Sequence, residues 1–71
     1  MDKPTTIVII GAGGHGQVVA DILLNRNRAG ENINIPAFLD KDSRLTGKNL
    51  IGIPVAGDEE ELATISHDAL V

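Results

Sequence analysis

The chain has 71 residues, a formal net charge of −4 and a hydrophobic content of 42%. A chain of this length forms at most one small domain, which buries only about 60% of the surface that its unfolded state exposes. The acidic balance excludes partners that need a basic patch, such as nucleic acid or an anionic membrane surface. Cysteine is absent, so no disulfide or thiolate metal site is available, and we expect a cytoplasmic location.

The first predicted elements are a strand and a helix. Residues 6–10 form a β-branched apolar run, which is typical of a strand buried on both faces of a parallel sheet. The run is far too short to span a bilayer, so we expect no membrane partner. From residue 14 to residue 28 the apolar side chains recur at helical spacing, and Gly30 is placed to end that helix.

A glycine turn joins these two elements, with the pattern G-x-G-x-x-G at Gly11, Gly13 and Gly16. The first glycine allows a tight turn, the second lets the backbone approach a phosphate, and the third lets the helix pack close to the sheet. The amides that open the helix, from Gly14 onward, would then face anionic oxygens of a ligand. The plainer alternative is that the glycines only shape a strand-to-helix turn.

The middle of the chain predicts a second strand followed by irregular structure. Residues 31–34 are interpreted as a polar connection, and residues 35–39 as a short strand with Pro36 near its start. Residues 40–48 predict a loop. Residues 49–57 are apolar but interrupted by glycine and proline, so we expect short extended pieces packed over the sheet edge.

The last part of the chain predicts a short helix and a third strand. Asp58 and Glu61 have capping-box spacing, which predicts a helix that begins there and ends at about residue 65. Residues 69–71 have the composition of a strand that has just begun.

This order of elements predicts an α/β fold with a partial Rossmann-like parallel sheet, of the order β-α-β-α-β. We expect residues 1–71 to form one nucleotide-binding domain. Because the third strand begins where the sequence stops, we also expect the chain to be the N-terminal part of a longer protein.

A carboxylate follows the second predicted strand. Asp40 comes directly after that strand, where a doubly wound fold directs its strand ends toward the same crevice as the glycine turn. Such a carboxylate accepts hydrogen bonds from ribose hydroxyls or from a base N–H; alternatively, Asp40 only begins an Asp-rich turn. Lys41 and Asp42 are interpreted as solvated turn residues, either of which can touch a ligand.

The two histidines do not make a catalytic or metal site. His15 lies in the glycine turn, where it either donates to a phosphate oxygen or braces the loop. No paired acid or nucleophile accompanies it, so we assign no catalytic residue. His67 is interpreted as a surface residue, and two isolated histidines do not predict a metal site.

Three segments carry a family resemblance: residues 10–21 (I-G-A-G-G-H-G-Q-V-V-A-D), residues 38–42 (F-L-D-K-D) and residues 47–57 (G-K-N-L-I-G-I-P-V-A-G). In this order they resemble the N-terminal domain of bacterial sugar O- and N-acyltransferases of the sialic acid O-acetyltransferase type. That group includes acetyltransferases that act on nucleotide-linked amino sugars.

The resemblance implies a Rossmann-like domain that binds the nucleotide-sugar acceptor. It places the glycine turn against the sugar nucleotide and Asp40 against its base, while Lys41 occupies a position where some members have a second acid. The substrate-binding set implied in this way is Gly11, Gly13, Gly14, His15, Gly16, Asp40 and Lys41.

The resemblance also implies the rest of the enzyme, a homotrimer that makes surface glycans. A C-terminal left-handed β-helix of hexapeptide repeats would bind acetyl-CoA and supply the catalytic histidine. Those repeats are absent from these 71 residues. We therefore expect the chain to bind a nucleotide sugar and to catalyse nothing by itself.

Three other interpretations remain open. One is the start of an NAD(P)-dependent oxidoreductase, although the second strand runs into residues 40–57 rather than promptly into a helix. Another is the Rossmann-like domain of a different nucleotide-sugar-modifying enzyme, such as a dehydratase or a polyprenyl-phosphate sugar transferase. The non-enzymatic interpretation is a ligand-sensing or structural domain that steadies a trimer.

Overall fold

The structure, a computed structural model, describes residues 3–71. Strand β1 (Thr5–Ile10) leads through the glycine turn into helix α1 (Gly14–Arg28), within a residue of the predicted bounds. The remaining elements are, in chain order, β2 (Ile33–Asn34), β3 (Phe38–Leu39), β4 (Asn49–Leu50), β5 (Ile53–Gly57), the 3-10 helix η1 (Glu59–Ala63) and β6 (Ala69–Leu70).

Strand β1 has parallel partners on both of its edges. The amide of Gly11 donates to the carbonyl oxygen of Leu39 on one edge, and the amide of Ile10 donates to the carbonyl oxygen of Val71 on the other. β2 and β3 pair with the beginning and the end of β1, and β6 pairs with its middle. From β3 the sheet continues to the parallel strand β5 and then to the antiparallel strand β4. The predicted α/β class and the third strand are confirmed.

The second strand is interrupted, contrary to the prediction of one strand over residues 35–39. It consists of β2 and β3, and the register against β1 shifts by one residue between them. Pro36 lies in the gap, where its missing amide costs the ladder no hydrogen bond. The predicted polar connection over residues 31–34 is wrong for its second half, which is β2.

Residues 49–57 form a hairpin: the predicted short extended pieces are present as β4 and β5, but their predicted placement over the sheet edge is wrong. β4 and β5 pair antiparallel, and β5 also pairs with β3, so this segment is part of the sheet. Ile53, Val55 and Gly57 are buried and alternate with exposed residues, which is the period-2 pattern of a strand. The glycines and Pro54 obscure that pattern in the sequence.

The predicted helix after Asp58 is a 3-10 helix, shorter than expected. The Asp58 carboxylate caps it by accepting a hydrogen bond from the amide of Glu60 at 2.9 Å. η1 ends at Ala63 rather than near residue 65. The connection from β5 to β6 therefore contains only a short 3-10 helix. In the described part of the chain, α1 is the single α-helix that packs on the sheet.

The core lies between α1 and one face of the sheet. Ile9 on β1, Ala20 and Leu23 on α1, and Phe38 on β3 belong to one buried apolar cluster. Phe38, the chain's only aromatic residue, is fully buried, which stabilises the fold by about 1.5–3 kcal/mol relative to exposure. Val8 is also fully buried, and the alternation of side chains along a strand points it to the opposite face. Both faces of β1 are thus covered, as a parallel strand requires.

Helix α1 has the predicted C-terminal end. Arg26 and Arg28 lie in its last turn, where a positive charge complements the helix dipole. Gly30 follows with a φ of +112°, a conformation that favours glycine. Within residues 3–71, no helix combines the length and the apolar content that crossing a bilayer requires.

Ile51 is a strained residue at the tip of the β4–β5 hairpin. Its φ is +45° and that of Gly52 is +84°, because a two-residue hairpin turn of this hand needs positive φ at both positions. A β-branched residue in that region carries a penalty of roughly 1–2 kcal/mol. The Ile51 side chain is 47% exposed, so its replacement sacrifices little packing.

We therefore expect Ile51→Asn to raise the free energy of unfolding by about 1 kcal/mol, as measured by urea denaturation. The control Ile51→Val keeps the β-branch and should change that free energy by less than about 0.5 kcal/mol. An Ile51→Asn variant less stable than the wild type would contradict the assigned strain.

Candidate functional site

The glycine turn is held by a backbone contact that only glycine permits. Gly16 packs so closely that a Cβ atom there would overlap the carbonyl oxygen of Gly11. Gly11 itself has a φ of +99°, where an L side chain is strained. The first and third glycines of the motif thus make the tight turn and the close helix packing that the sequence indicates.

Gly13 and Gly14 stand in open space at the start of α1. A Cβ atom on either one would meet nothing within 4 Å. Gly13 is the N-cap residue, and no side chain caps the helix. The first amides of a helix have no partner within it, so those of α1 are left to a ligand or to water. His15 lies exposed in the same turn.

Asp40 ties the glycine turn to the end of β3. Its Oδ2 accepts a hydrogen bond from the amide of Ala12 at 2.8 Å, and its Oδ1 accepts one from the amide of Asp42 at 2.8 Å. The amide of Asp40 in turn donates to the carbonyl oxygen of Gly57 at 2.7 Å. The amide of Ala12, and then that of Asp42, hold the pKa of the Asp40 carboxyl below its usual value. The carboxylate is therefore charged and already bound to the protein backbone.

Gln17 is a second tether that sequence reasoning missed. Its Nε2 donates to the carbonyl oxygen of Ala12 at 3.1 Å. Ala12 is thus fixed through its amide by Asp40 and through its carbonyl by Gln17, and its own side chain is buried. A single glutamine at the start of a helix carries no sequence signal for this role.

A cleft of about 220 Å³ opens at the carboxyl ends of β1, β3 and β5. Ile10 supplies exposed apolar surface and the fully buried Leu39 lies beneath it, while the charged groups belong to Asp40, Lys41 and Glu59. Gly11 completes the lining. The volume lies below the roughly 300–1,000 Å³ of pockets that hold a whole drug-sized molecule, so the cleft fits one part of a larger ligand.

The structure brings three of the seven predicted site residues to the cleft and leaves residues 13–16 outside its lining. Gly11, Asp40 and Lys41 line the cleft, and the open first turn of α1 follows directly from Gly11. Glu59 also lines the cleft, although it was not among the predicted site residues. In the sequence it stands at the start of an acidic helix, where an acid is explained by the helix dipole alone. The folding of the chain back through the β4–β5 hairpin brings Glu59 to the cleft, and no local motif reveals that.

His67 takes no part in the cleft. Its Nδ1 lies 2.8 Å from the carbonyl oxygen of Ile65, and its side chain is exposed, as predicted for a surface residue. Among residues 3–71, no group of three or more histidine or acidic side chains is placed to hold a metal ion.

Parallel strands that end at a glycine turn, an uncapped helix start and a strand-end carboxylate define a partial Rossmann-like domain. A family model described as the PglD N-terminal domain matches residues 6–71. The chain belongs to this family, the N-terminal domain of PglD-type acetyltransferases. No curated protein and no solved structure matches the chain.

Replacing Gly16 tests the backbone contact. We expect Gly16→Ala to lower the free energy of unfolding by about 3 kcal/mol or more, because the added methyl overlaps backbone that has no room to move. Gly14→Ala is the matched control, since the space around it is open. That variant should leave the free energy unchanged or raise it by up to about 1 kcal/mol. Equal effects of the two substitutions in thermal or urea unfolding would contradict the close contact.

Replacing Asp40 tests the carboxylate tether. An asparagine side chain at this position would turn its NH₂ group toward one of the two amides, so Asp40→Asn should be less stable than the wild type at pH 7. Because folding lowers the pKa of Asp40, its contribution is present at neutral pH and is lost as the pH falls below about 4. Urea denaturation at pH 7 and pH 3 should therefore show a smaller difference between variant and wild type at pH 3. A difference that grows toward low pH would contradict this assignment.

Proposed function

We propose that this domain binds the nucleotide-sugar acceptor of an acetyl-CoA-dependent sugar O- or N-acetyltransferase. The observation that carries the proposal is the open, uncapped start of α1 beside a cleft with a charged rim. Membership of the PglD N-terminal domain family supplies the enzyme class.

The start of α1 suits the diphosphate of such a ligand. Its amides are uncapped, the helix dipole favours anions there, and Gly13 and Gly14 leave room for a bulky phosphate to approach the backbone. His15, exposed in the same turn, adds a hydrogen-bond donor. The chain as a whole carries a net charge of −4 and so repels anions. In this proposal, anion binding therefore depends on the local arrangement at the start of α1.

The cleft suits the nucleoside. The partly exposed Ile10 offers an apolar face on which a planar base can lie, and the charged rim offers partners for polar edges. A volume of about 220 Å³ accommodates one part of the nucleotide and leaves the sugar outside. In this arrangement the sugar extends beyond the domain, where an acyl group can reach it.

The acetyl transfer itself belongs, in this proposal, to a further part of the protein. A β-helical domain would bind acetyl-CoA, supply the catalytic histidine and form the contacts of a homotrimer. The enzyme would act in the cytoplasm, and its product would be used to make surface glycans. The described residues bring no nucleophile and base together. The domain alone should therefore consume no acetyl-CoA.

Isothermal titration calorimetry of the 71-residue chain tests the proposal. A panel of UDP-, GDP- and CMP-sugars should contain a ligand that binds more tightly than NAD or acetyl-CoA. Gly13→Val should weaken that binding at least about tenfold by filling the space over the helix start, which corresponds to about 1.4 kcal/mol. The control Ala56→Val also introduces valine, at an exposed position of β5 outside the cleft lining, and should leave affinity unchanged. Tighter binding of NAD than of every nucleotide sugar would favour the oxidoreductase interpretation instead.

A further inference from the structure

Two carboxylates line the cleft, but only one of them is free of the protein's own backbone. Both oxygens of Asp40 already accept amide hydrogen bonds, from Ala12 and from Asp42. Each oxygen keeps a second lone pair, but the two amide bonds fix the direction of the carboxylate. Asp40 is therefore a positioning residue, which fixes the glycine turn against the end of β3.

Glu59 is the carboxylate whose two oxygens are both available to a ligand. It follows the capping residue Asp58, whose side chain already satisfies the start of η1, so the helix does not need the Glu59 side chain. Glu59 is exposed, lines the cleft, and has no hydrogen bond or ion pair within residues 3–71.

The neighbours of Glu59 have other surroundings. Glu60 is exposed and does not line the cleft. The side chain of Glu61 lies against Gly57, with its Cγ 3.0 Å from where a Cβ of that glycine would stand. Of the three consecutive glutamates at positions 59–61, Glu59 alone lines the cleft.

Lys41 provides the complementary charge at the same cleft. It lines the cleft with Glu59, yet the two side chains form no salt bridge; the ion pairs in the described part of the chain join Arg26 to Glu31 and Arg44 to Asp42. An ammonium group attracts anionic or carbonyl oxygens, whereas a carboxylate accepts only from donors. A nucleotide presents both kinds of group, with hydroxyl or N–H donors on its nucleoside and oxygens on its phosphates.

We propose that Glu59 selects the ligand by accepting a hydrogen bond from a donor on the nucleoside, either a ribose hydroxyl or a base N–H. This inference rests on the proposed function, since it assigns the nucleoside to the cleft. The position of Asp40 after a strand suggests that Asp40 recognises the nucleoside. This proposal gives that role instead to Glu59, which begins η1 just after β5.

The test compares Glu59→Gln with the matched control Glu60→Gln, by calorimetry with the tightest nucleotide sugar of the panel. Removing a negative charge alone should leave binding of an anionic ligand unchanged or slightly tighter, and Glu60→Gln should behave so. Glu59→Gln should instead weaken binding at least about tenfold, because it loses a charge-assisted hydrogen bond. Glu59 is exposed, so both variants should unfold at the same urea concentration as the wild type.

Modified ligands distinguish the two donors. A 2′-deoxyribose nucleotide removes the hydroxyl and an N-methylated base removes the N–H. If Glu59 binds one of these groups, the affinity penalty for losing that group should be large in the wild type and should shrink in Glu59→Gln.

Equal affinities of Glu59→Gln and Glu60→Gln for a nucleotide sugar that the wild type binds would overturn this inference alone. A wild type that binds no nucleotide sugar would overturn the proposed function as well.

Discussion

The close approach of Gly16 to the carbonyl of Gly11 is the constraint on which the rest of this structure depends. It fixes where α1 begins relative to β1, because the helix sits as near to the turn as backbone allows. The position of the helix determines which side chains meet Ile9 and Phe38 in the core. The same contact places the uncapped first turn of α1 next to Gly11, which lines the cleft. One steric requirement thus serves both packing and the candidate site.

The charged side chain of Asp40 extends that constraint to the neighbouring strand. By accepting from Ala12 and Asp42, it joins the loop after β1 to the loop after β3, and its own amide reaches β5 through Gly57. Three parallel strand ends are thereby held together by hydrogen bonds of one residue, through its carboxylate and its backbone amide. A domain this small has few apolar contacts to spare, so such polar ties matter for the shape of the cleft.

Local features of the sequence predicted β1, α1, the glycine turn and the final strand, because β-branched runs, helical periodicity and glycine spacing act over a few residues. The β4–β5 hairpin was missed because its strand pattern is broken by Pro54 and its turn places Ile51 in a conformation that isoleucine disfavours. Its membership of the sheet depends on pairing with β3, which no local pattern encodes. The same long-range pairing brings Glu59 to the cleft, so sequence reasoning assigned the glycine turn and Asp40 to the site but not the free carboxylate.

The most direct measurement of the central claim, that a nucleotide sugar lies across the start of α1 and the cleft, is a titration of the ¹⁵N-labelled chain followed by NMR. The largest amide shift changes should fall at residues 13–16, with further changes at Lys41 and Glu59. Amides at the distant ion pair of Arg26 and Glu31 should stay unchanged. Shift changes confined to the β4–β5 hairpin, or an unchanged spectrum at saturating nucleotide sugar, would contradict the claim.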